Sequence, residues 1–111
     1  MDNLMLKKEA FSPFVVSVLR QMAAQRREEI IFDKVMVAHT ANGLPDKYLM
    51  FDAVAPNGFE SFSGYIYFEF KTPQSGSSEA NRIENFRKRI RRVSRNQEPI
   101  GILIINGGID T

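Results

Sequence analysis

The stretch that decides the fold runs from Tyr48 to Lys71 and reads YLMFDAVAPNGFESFSGYIYFEFK. It contains two apolar runs, Tyr48–Ala55 and Tyr65–Lys71, which are rich in the aromatic and β-branched residues typical of strands. A turn signal, Pro56-Asn57-Gly58, follows the first run, and the connection is too long for a two-residue turn. The stretch therefore predicts two paired strands joined as a hairpin with a long loop.

Three charged residues interrupt these apolar strands: Asp52, Glu69 and Lys71. A carboxylate among apolar neighbours costs on the order of several kcal/mol if it is left unpaired. Alternate strand residues point to the same face, so Glu69 and Lys71 should emerge together, with Phe70 on the other face. Asp52 on the neighbouring strand can face them. Two carboxylates beside an ammonium form a hydrolytic constellation, and a metal ion bridging Asp52 and Glu69 would compensate their charge.

The rest of the chain supplies helices on both sides of this hairpin. Ser12-Pro13 predicts a helix start, with Ser as N-cap and Pro at the first helical position, and this helix should reach Arg27 or Glu29. The other elements expected are a first strand at Ile30–Ala38, a second helix from Ser77 or Ser78 to Asn96, and a fourth strand at Ile100–Ile105. The apolar stripes of the two helices are expected to be Phe14, Val15, Val18, Leu19 and Met22 in the first, and Ile83, Phe86, Ile90 and Val93 in the second.

Asp52, sixteen intervening residues and Glu69-Phe70-Lys71 resemble the core motif of the PD-(D/E)xK nuclease superfamily. The predicted αβββαβ order is also similar to the common core of that superfamily, the restriction-endonuclease-like fold. The resemblance covers roughly Ser12 to Ile105. It implies a single α/β domain, spanning residues 1–111, with a mixed central sheet flanked by helices.

The first acidic residue of the motif departs from the family pattern. The family often has Pro before this residue, whereas Phe51 precedes Asp52 here. A Pro-Asp pair exists at Pro45-Asp46, but it lies at the start of the strand and farther from Glu69 along the chain. Asp52 is preferred because its apolar surroundings require compensation, whereas an aspartate in a loop requires none.

What the resemblance implies is Mg²⁺-dependent endonuclease hydrolysis of DNA phosphodiester bonds, with Mn²⁺ as an alternative metal. Asp52, Glu69 and the backbone carbonyl of Phe70 would hold the ion, and Lys71 would assist the attacking water. A further Glu from the end of the first helix, Glu28 or Glu29, could join them. The alternative is a catalytically inactive module of the same fold that binds nucleic acid or a protein partner.

The second predicted helix carries a dense run of cations. Seven of the fifteen Lys and Arg residues lie between Arg82 and Arg95. A basic face of this kind is the footprint of sequence-independent contact with a phosphate backbone, although a solvated helix face is the alternative. The candidate nucleic-acid contacts are Arg82, Arg87, Lys88, Arg91, Arg92 and Arg95. DNA is the expected partner, with RNA left open.

Composition sets the remaining bounds. The chain has 111 residues and a net charge of +2, which suits one globular domain. It has no cysteine, so disulfides and thiolate metal sites are excluded, and a reducing cytoplasm is the expected location. No stretch predicts a signal peptide or a membrane span. A homodimer, and further domains in a longer protein of which this would be the N-terminal part, are both compatible with the sequence.

Overall fold

The computed structural model describes residues 8–40, 42–72, 79–94 and 98–106. In chain order, the elements are α1 (Lys8–Arg26), β1 (Ile31–His39), β2 (Pro45–Ala55), β3 (Ile66–Lys71), α2 (Glu79–Val93) and β4 (Ile100–Ile105). The described part of the chain is thus a small α/β domain with a four-stranded mixed sheet and two helices. The predicted order of helix, three strands, helix and strand is confirmed.

The four strands lie in the sheet in their sequence order. β1 pairs with β2 and β2 with β3 in antiparallel fashion, whereas β4 runs parallel to β3. A parallel pair needs a long crossover, and α2 lies within it. The predicted hairpin of β2 and β3 is confirmed, but its ladder is short and ends at the pair Ala53–Phe68. β1 and β2 continue together beyond this point.

One helix packs against each face of the sheet. On the α1 side, Phe11, Val15 and Leu19 follow one another at intervals of four and pack on apolar side chains such as Phe68. On the α2 side, the buried helix residues Phe86, Ile90 and Val93 pack on Phe51, Val54 and Tyr67. Because strand residues alternate, β3 sends Phe68 and Phe70 towards α1, and Tyr67 and Glu69 towards α2.

α1 begins at Lys8, so the prediction of a start at Ser12-Pro13 is wrong, and Pro13 lies inside the helix. The buried stripe begins at Phe11, one turn before the predicted stripe, and this packing extends the helix beyond the local cap signal. α1 ends at Arg26, close to the predicted end at Arg27 or Glu29. Arg27 adopts a left-handed φ of 55°, and the N–H groups of Arg27 and Glu28 donate to the carbonyls of Ala24 and Ala23. These two bonds form a Schellman motif without glycine.

Parts of both predicted stripes are exposed. Phe14 and Val18 of α1 are 56% and 38% exposed, and Ile83 of α2 is 46% exposed, so these members of the predicted apolar stripes lie outside the core. The core-facing rows of the helices are narrower than the sequence pattern indicated. α2 ends at Val93, before the predicted end, while Ser77, Ser78 and Asn96 lie outside the described residues. Among the described helices, none is long and apolar enough to cross a membrane.

Candidate active site at the end of the ladder between β2 and β3

The site lies where the backbone pairing of β2 and β3 stops. Asp52 directly precedes Ala53, the first residue of β2 that pairs with β3, and its Oδ2 accepts a hydrogen bond of 2.7 Å from the backbone N–H of Phe70. A charged acceptor at this distance is typical of a strong, charge-assisted bond. The N–H and C=O of one strand residue point to the same side, so the Phe70 carbonyl also faces the gap that opens between the strands.

Glu69 approaches this gap from the α2 side. It is only 5% exposed, and its Oε1 accepts a hydrogen bond from Nη1 of Arg89. The same oxygen lies 3.7 Å from Nζ of Lys71, whose side chain is 46% exposed. A buried carboxylate needs such compensation. The prediction that Glu69 and Lys71 share a face is consistent with this contact, and Lys71 lies at the solvent-facing mouth of the site.

Arg89 connects the two strands across the gap. Its Nη1 binds the Glu69 carboxylate on β3, and its Nη2 donates to the backbone carbonyl of Met50 on β2. The guanidinium also lies over the ring of Phe51, 5.0 Å from its centroid, in a cation–π contact. Two side chains, Asp52 and Arg89, therefore bridge β2 and β3 where backbone bonds no longer do.

Sequence reasoning missed Arg89 as a site residue because it treated the basic run as one exposed surface. The signal was present in the helical period. Arg89 follows Phe86 by three positions and precedes Val93 by four, so it lies on the same face as two buried residues. A buried Glu69 on the facing strand requires a cation from that face.

Asp52 also borders a cavity on the α1 side of the sheet. The cavity has a volume of about 290 Å³ and is lined by Ser12, Pro13, Val16, Phe32, Asp33, Asp52 and Phe70. Asp33 has a left-handed φ of 54°, a conformation that aspartate tolerates better than most residues. In the register of β1 and β2, Asp33 lies opposite Asp52, and no bridge pair forms there. The structure thus adds Asp33 to the surroundings of Asp52.

By residue type alone, the oxygen donors on β2 and β3 are those that a small hard cation prefers. Two carboxylates and a backbone carbonyl are oxygen ligands, and Mg²⁺ usually takes one or two carboxylates and completes its shell with water. Within the described residues, no group of three or more His, Cys, Asp or Glu side chains could hold a metal. Asp52 borders the cavity on the α1 side and Glu69 contacts Arg89 of α2, so the two carboxylates lie towards opposite faces of the sheet and do not face each other as the sequence predicted. Glu69 already has cationic partners, which a metal ion would have to join or displace.

The alternative acidic residue of the motif has a different partner. Asp46 lies at the exposed start of β2, and its carboxylate forms an ion pair with Arg92. Arg92 thus lies with Arg89 on the side of α2 that faces β2. This ion pair connects α2 to the start of β2, in addition to the contacts that Arg89 makes with β2. Asp52 is therefore the aspartate of β2 that lies at the gap.

The predicted nucleic-acid contacts divide into two groups. Arg87, Lys88 and Arg91 are exposed on the outer surface of α2, whereas Arg82 and Arg92 are half-buried. Arg95 lies outside the described residues. The outward group, named here the basic surface of α2, is the part of the run that is open to a large anionic partner.

The two glutamates at the end of α1 have other roles in the structure. Glu28 accepts a 3.0 Å hydrogen bond from the backbone N–H of Glu60, and Glu60 pairs with Arg26 at 2.8 Å. These contacts hold the loop between β2 and β3 against the helix end. Burial raises the pKa of Tyr65, and charge interactions with the nearby Tyr67 and Glu29 raise it further. Glu29 thus lies close to Tyr65.

Comparison with protein-family models finds no match, and comparisons with curated proteins and with solved structures find none either. The resemblance to the PD-(D/E)xK nucleases consequently rests on the residues of the motif and on the order of the elements.

Proposed function

We propose that this domain hydrolyses phosphodiester bonds of DNA in a reaction that depends on Mg²⁺ or Mn²⁺. The observation that carries the proposal is the gap at the end of the ladder. Asp52 accepts a hydrogen bond from the Phe70 N–H there, the Phe70 carbonyl faces the same opening, and buried Glu69 directly precedes Phe70 on β3. Asp52 and Glu69 thus lie on adjacent strands beside the same gap, Asp52 towards α1 and Glu69 towards α2.

Asp52, Glu69 and the Phe70 carbonyl would hold the ion. When bound, a divalent cation polarises the phosphate and lowers the pKa of a water molecule, which supplies the nucleophile. The chain's own residues provide the positioning. The Phe70 N–H fixes the Asp52 carboxylate, and the packing of β3 between two helices fixes Glu69.

Lys71 supplies a positive charge at the mouth of the site. Its ammonium lies 3.7 Å from the Glu69 carboxylate and is partly open to solvent. From this position it can hydrogen-bond an attacking water and offset charge that develops on the phosphate. Removing such a donor typically lowers the rate by about 10²–10³-fold.

The basic surface of α2 supports the choice of a nucleic acid as substrate. Arg87, Lys88 and Arg91 are exposed together on consecutive turns of one helix. Guanidinium groups match phosphate oxygens in a bidentate geometry, and Lys adds point charges. Contacts of this type bind the backbone without reading the base sequence, so they serve DNA and RNA alike.

A second candidate is a nucleic-acid-binding module that has the fold but no catalytic activity. This candidate is favoured because Arg89 and Lys71 both contact the Glu69 carboxylate, so its negative charge is already compensated without a metal ion. A site that is neutral without a metal ion can serve as a structural junction alone. The basic surface of α2 would then carry the function.

The two candidates are separated by incubating supercoiled plasmid, linear duplex and single-stranded RNA with the protein in Mg²⁺ or Mn²⁺. The wild type should nick DNA, and Lys71→Ala should lose activity by about 10²-fold or more. Lys47→Ala, which removes an exposed lysine of β2, is the matched control and should cleave like the wild type. Binding without cleavage by all three proteins would support the inactive module instead.

A further inference from the structure

We propose that the open edge of β4 pairs with β4 of a second copy of this chain, so that the two sheets join into one continuous sheet. The two β4 strands would run antiparallel, related by a two-fold axis perpendicular to the sheet. This surface is separate from the gap between β2 and β3. A failure of the proposed catalytic activity would therefore leave the pairing unaffected.

The composition of β4 disagrees with its position. The strand reads IGILII, an uncharged run typical of a strand in the middle of a sheet. It is nevertheless the last strand of the sheet in the part of the chain that the structure describes, and its five large side chains are only half-buried. Native edge strands usually carry a charge, a proline or a bulge that prevents further pairing. β4 has neither charge nor proline, and its register with β3 is regular.

The backbone groups along this edge are oriented for pairing. The N–H of Asn106, which follows β4, donates to the Lys71 carbonyl at the end of β3. Because the backbone groups of alternate strand residues point to the same side, those of Gly101, Leu103 and Ile105 point away from β3. No strand among the described residues lies on that side. An antiparallel partner strand would exchange hydrogen bonds with these N–H and C=O groups.

The side chains beside this edge favour a folded partner over an isolated peptide strand. A groove of about 520 Å³ between α1 and β4 is lined almost entirely by apolar side chains, among them the exposed Phe14, Val18 and Phe62. A single added strand would cover β4 but leave the α1 side of the groove open. A second copy brings its own α1 to the same face of the joined sheet, because the two-fold axis keeps the two faces apart. The two grooves then meet, apolar against apolar.

The surface beside β4 is large enough for a specific dimer. β4 has six residues, and at about 3.3 Å per residue its edge is about 20 Å long. The sheet and the two helices that pack on it form a wall about 30 Å thick, at roughly 10 Å per layer. Joining two copies would therefore bury roughly 1,200 Å² in total, which reaches the range of specific protein–protein interfaces.

The test is sedimentation velocity over a dilution series of the whole chain. The wild type should form a dimer that dissociates reversibly on dilution and persists at high salt, because its contacts are apolar and main-chain. Phe14→Glu combined with Val18→Glu should be monomeric throughout, since these exposed positions accept a charge in the monomer but not against a second groove. Tyr48→Glu, which adds the same charge at an exposed side chain of β2, is the matched control and should dimerise like the wild type. A wild type that is always monomeric, or a dimer that survives the double substitution, would overturn the pairing.

Amide hydrogen exchange on the unsubstituted chain covers the case in which the double variant does not fold. The amide of Leu103 points to the open edge, whereas that of Ile104 points to β3 and serves as the internal control. Exchange at Leu103 should slow in proportion to the dimer fraction as the protein concentration rises, and exchange at Ile104 should be slow at every concentration. A Leu103 amide whose exchange rate does not change with concentration would overturn the pairing. A constant fast rate would leave the edge open, and a constant slow rate would indicate that the chain itself covers it.

Discussion

Replacing Asp52 by alanine should destabilise the domain even without any metal, because it removes the acceptor of the Phe70 N–H. The bond is 2.7 Å long and has a charged acceptor in a half-buried position. Hydrogen bonds to charged groups contribute about 1.5–3 kcal/mol, and the half-exposed setting favours the lower end of that range. We expect Asp52→Ala to lower the free energy of unfolding by about 2 kcal/mol. Asp52→Asn keeps an oxygen acceptor and should lose about 1 kcal/mol or less.

The assay is urea unfolding followed by circular dichroism, first without divalent ions. Asp46→Ala is the matched control, since it removes an aspartate of the same strand whose exposed ion pair contributes only about 0–1 kcal/mol. With Mg²⁺ at a hundredfold excess over its Kd, the wild type should gain about 2.7 kcal/mol and Asp52→Asn should gain far less. Equal midpoints for the wild type, Asp52→Ala and Asp46→Ala would refute the reasoning about the gap.

Three further predictions concern the second helix and its surroundings. Arg87→Glu combined with Arg91→Glu should weaken duplex binding at every sequence and reduce the log–log salt slope by about 1.8 in fluorescence-anisotropy titrations; an unchanged slope would show these residues to be solvated only. Gly101→Ala should lower the melting temperature at a cost of about 1–3 kcal/mol, because its Cβ would lie 2.6 Å from Cδ1 of Ile90; adding Ile90→Val should restore part of the loss. Burial raises the pKa of Tyr67 above its usual 10.0, so the unfolded state loses this proton first and the free energy of unfolding should fall as pH rises through that value. In denaturant titrations over this pH range, the free energy of unfolding of Tyr67→Phe should fall less than that of the wild type.

The parts of the fold that depend on local pattern could be predicted from the sequence. The alternation of Glu69, Phe70 and Lys71 on β3 follows directly from strand geometry, and the structure has it. The strand β4 and the mixed sheet agree with the prediction, but the continuous aliphatic run of β4 is typical of a fully covered central strand, whereas β4 lies at the edge of the described sheet beside β3. The start of α1 could not be predicted in this way. The Ser12-Pro13 signal is local, whereas the earlier start depends on the packing of Phe11 against the sheet.

The contacts of the candidate site were less predictable for the same reason. β1 and β2 stay paired beyond the end of the β2–β3 ladder, and no residue type marks Ala53 as the position where that ladder ends. The bond from the Phe70 N–H to Asp52 follows from that separation. Arg89 is different, because its helical spacing and the unpaired charge of Glu69 together could have identified it.

The central claim is that a divalent cation binds in the gap between β2 and β3, and anomalous diffraction from crystals grown with Mn²⁺ tests it most directly. We expect an anomalous peak bonded to Asp52, Glu69 and the Phe70 carbonyl at distances of about 2.1 Å. Absence of a peak in this gap at saturating Mn²⁺ would contradict the claim.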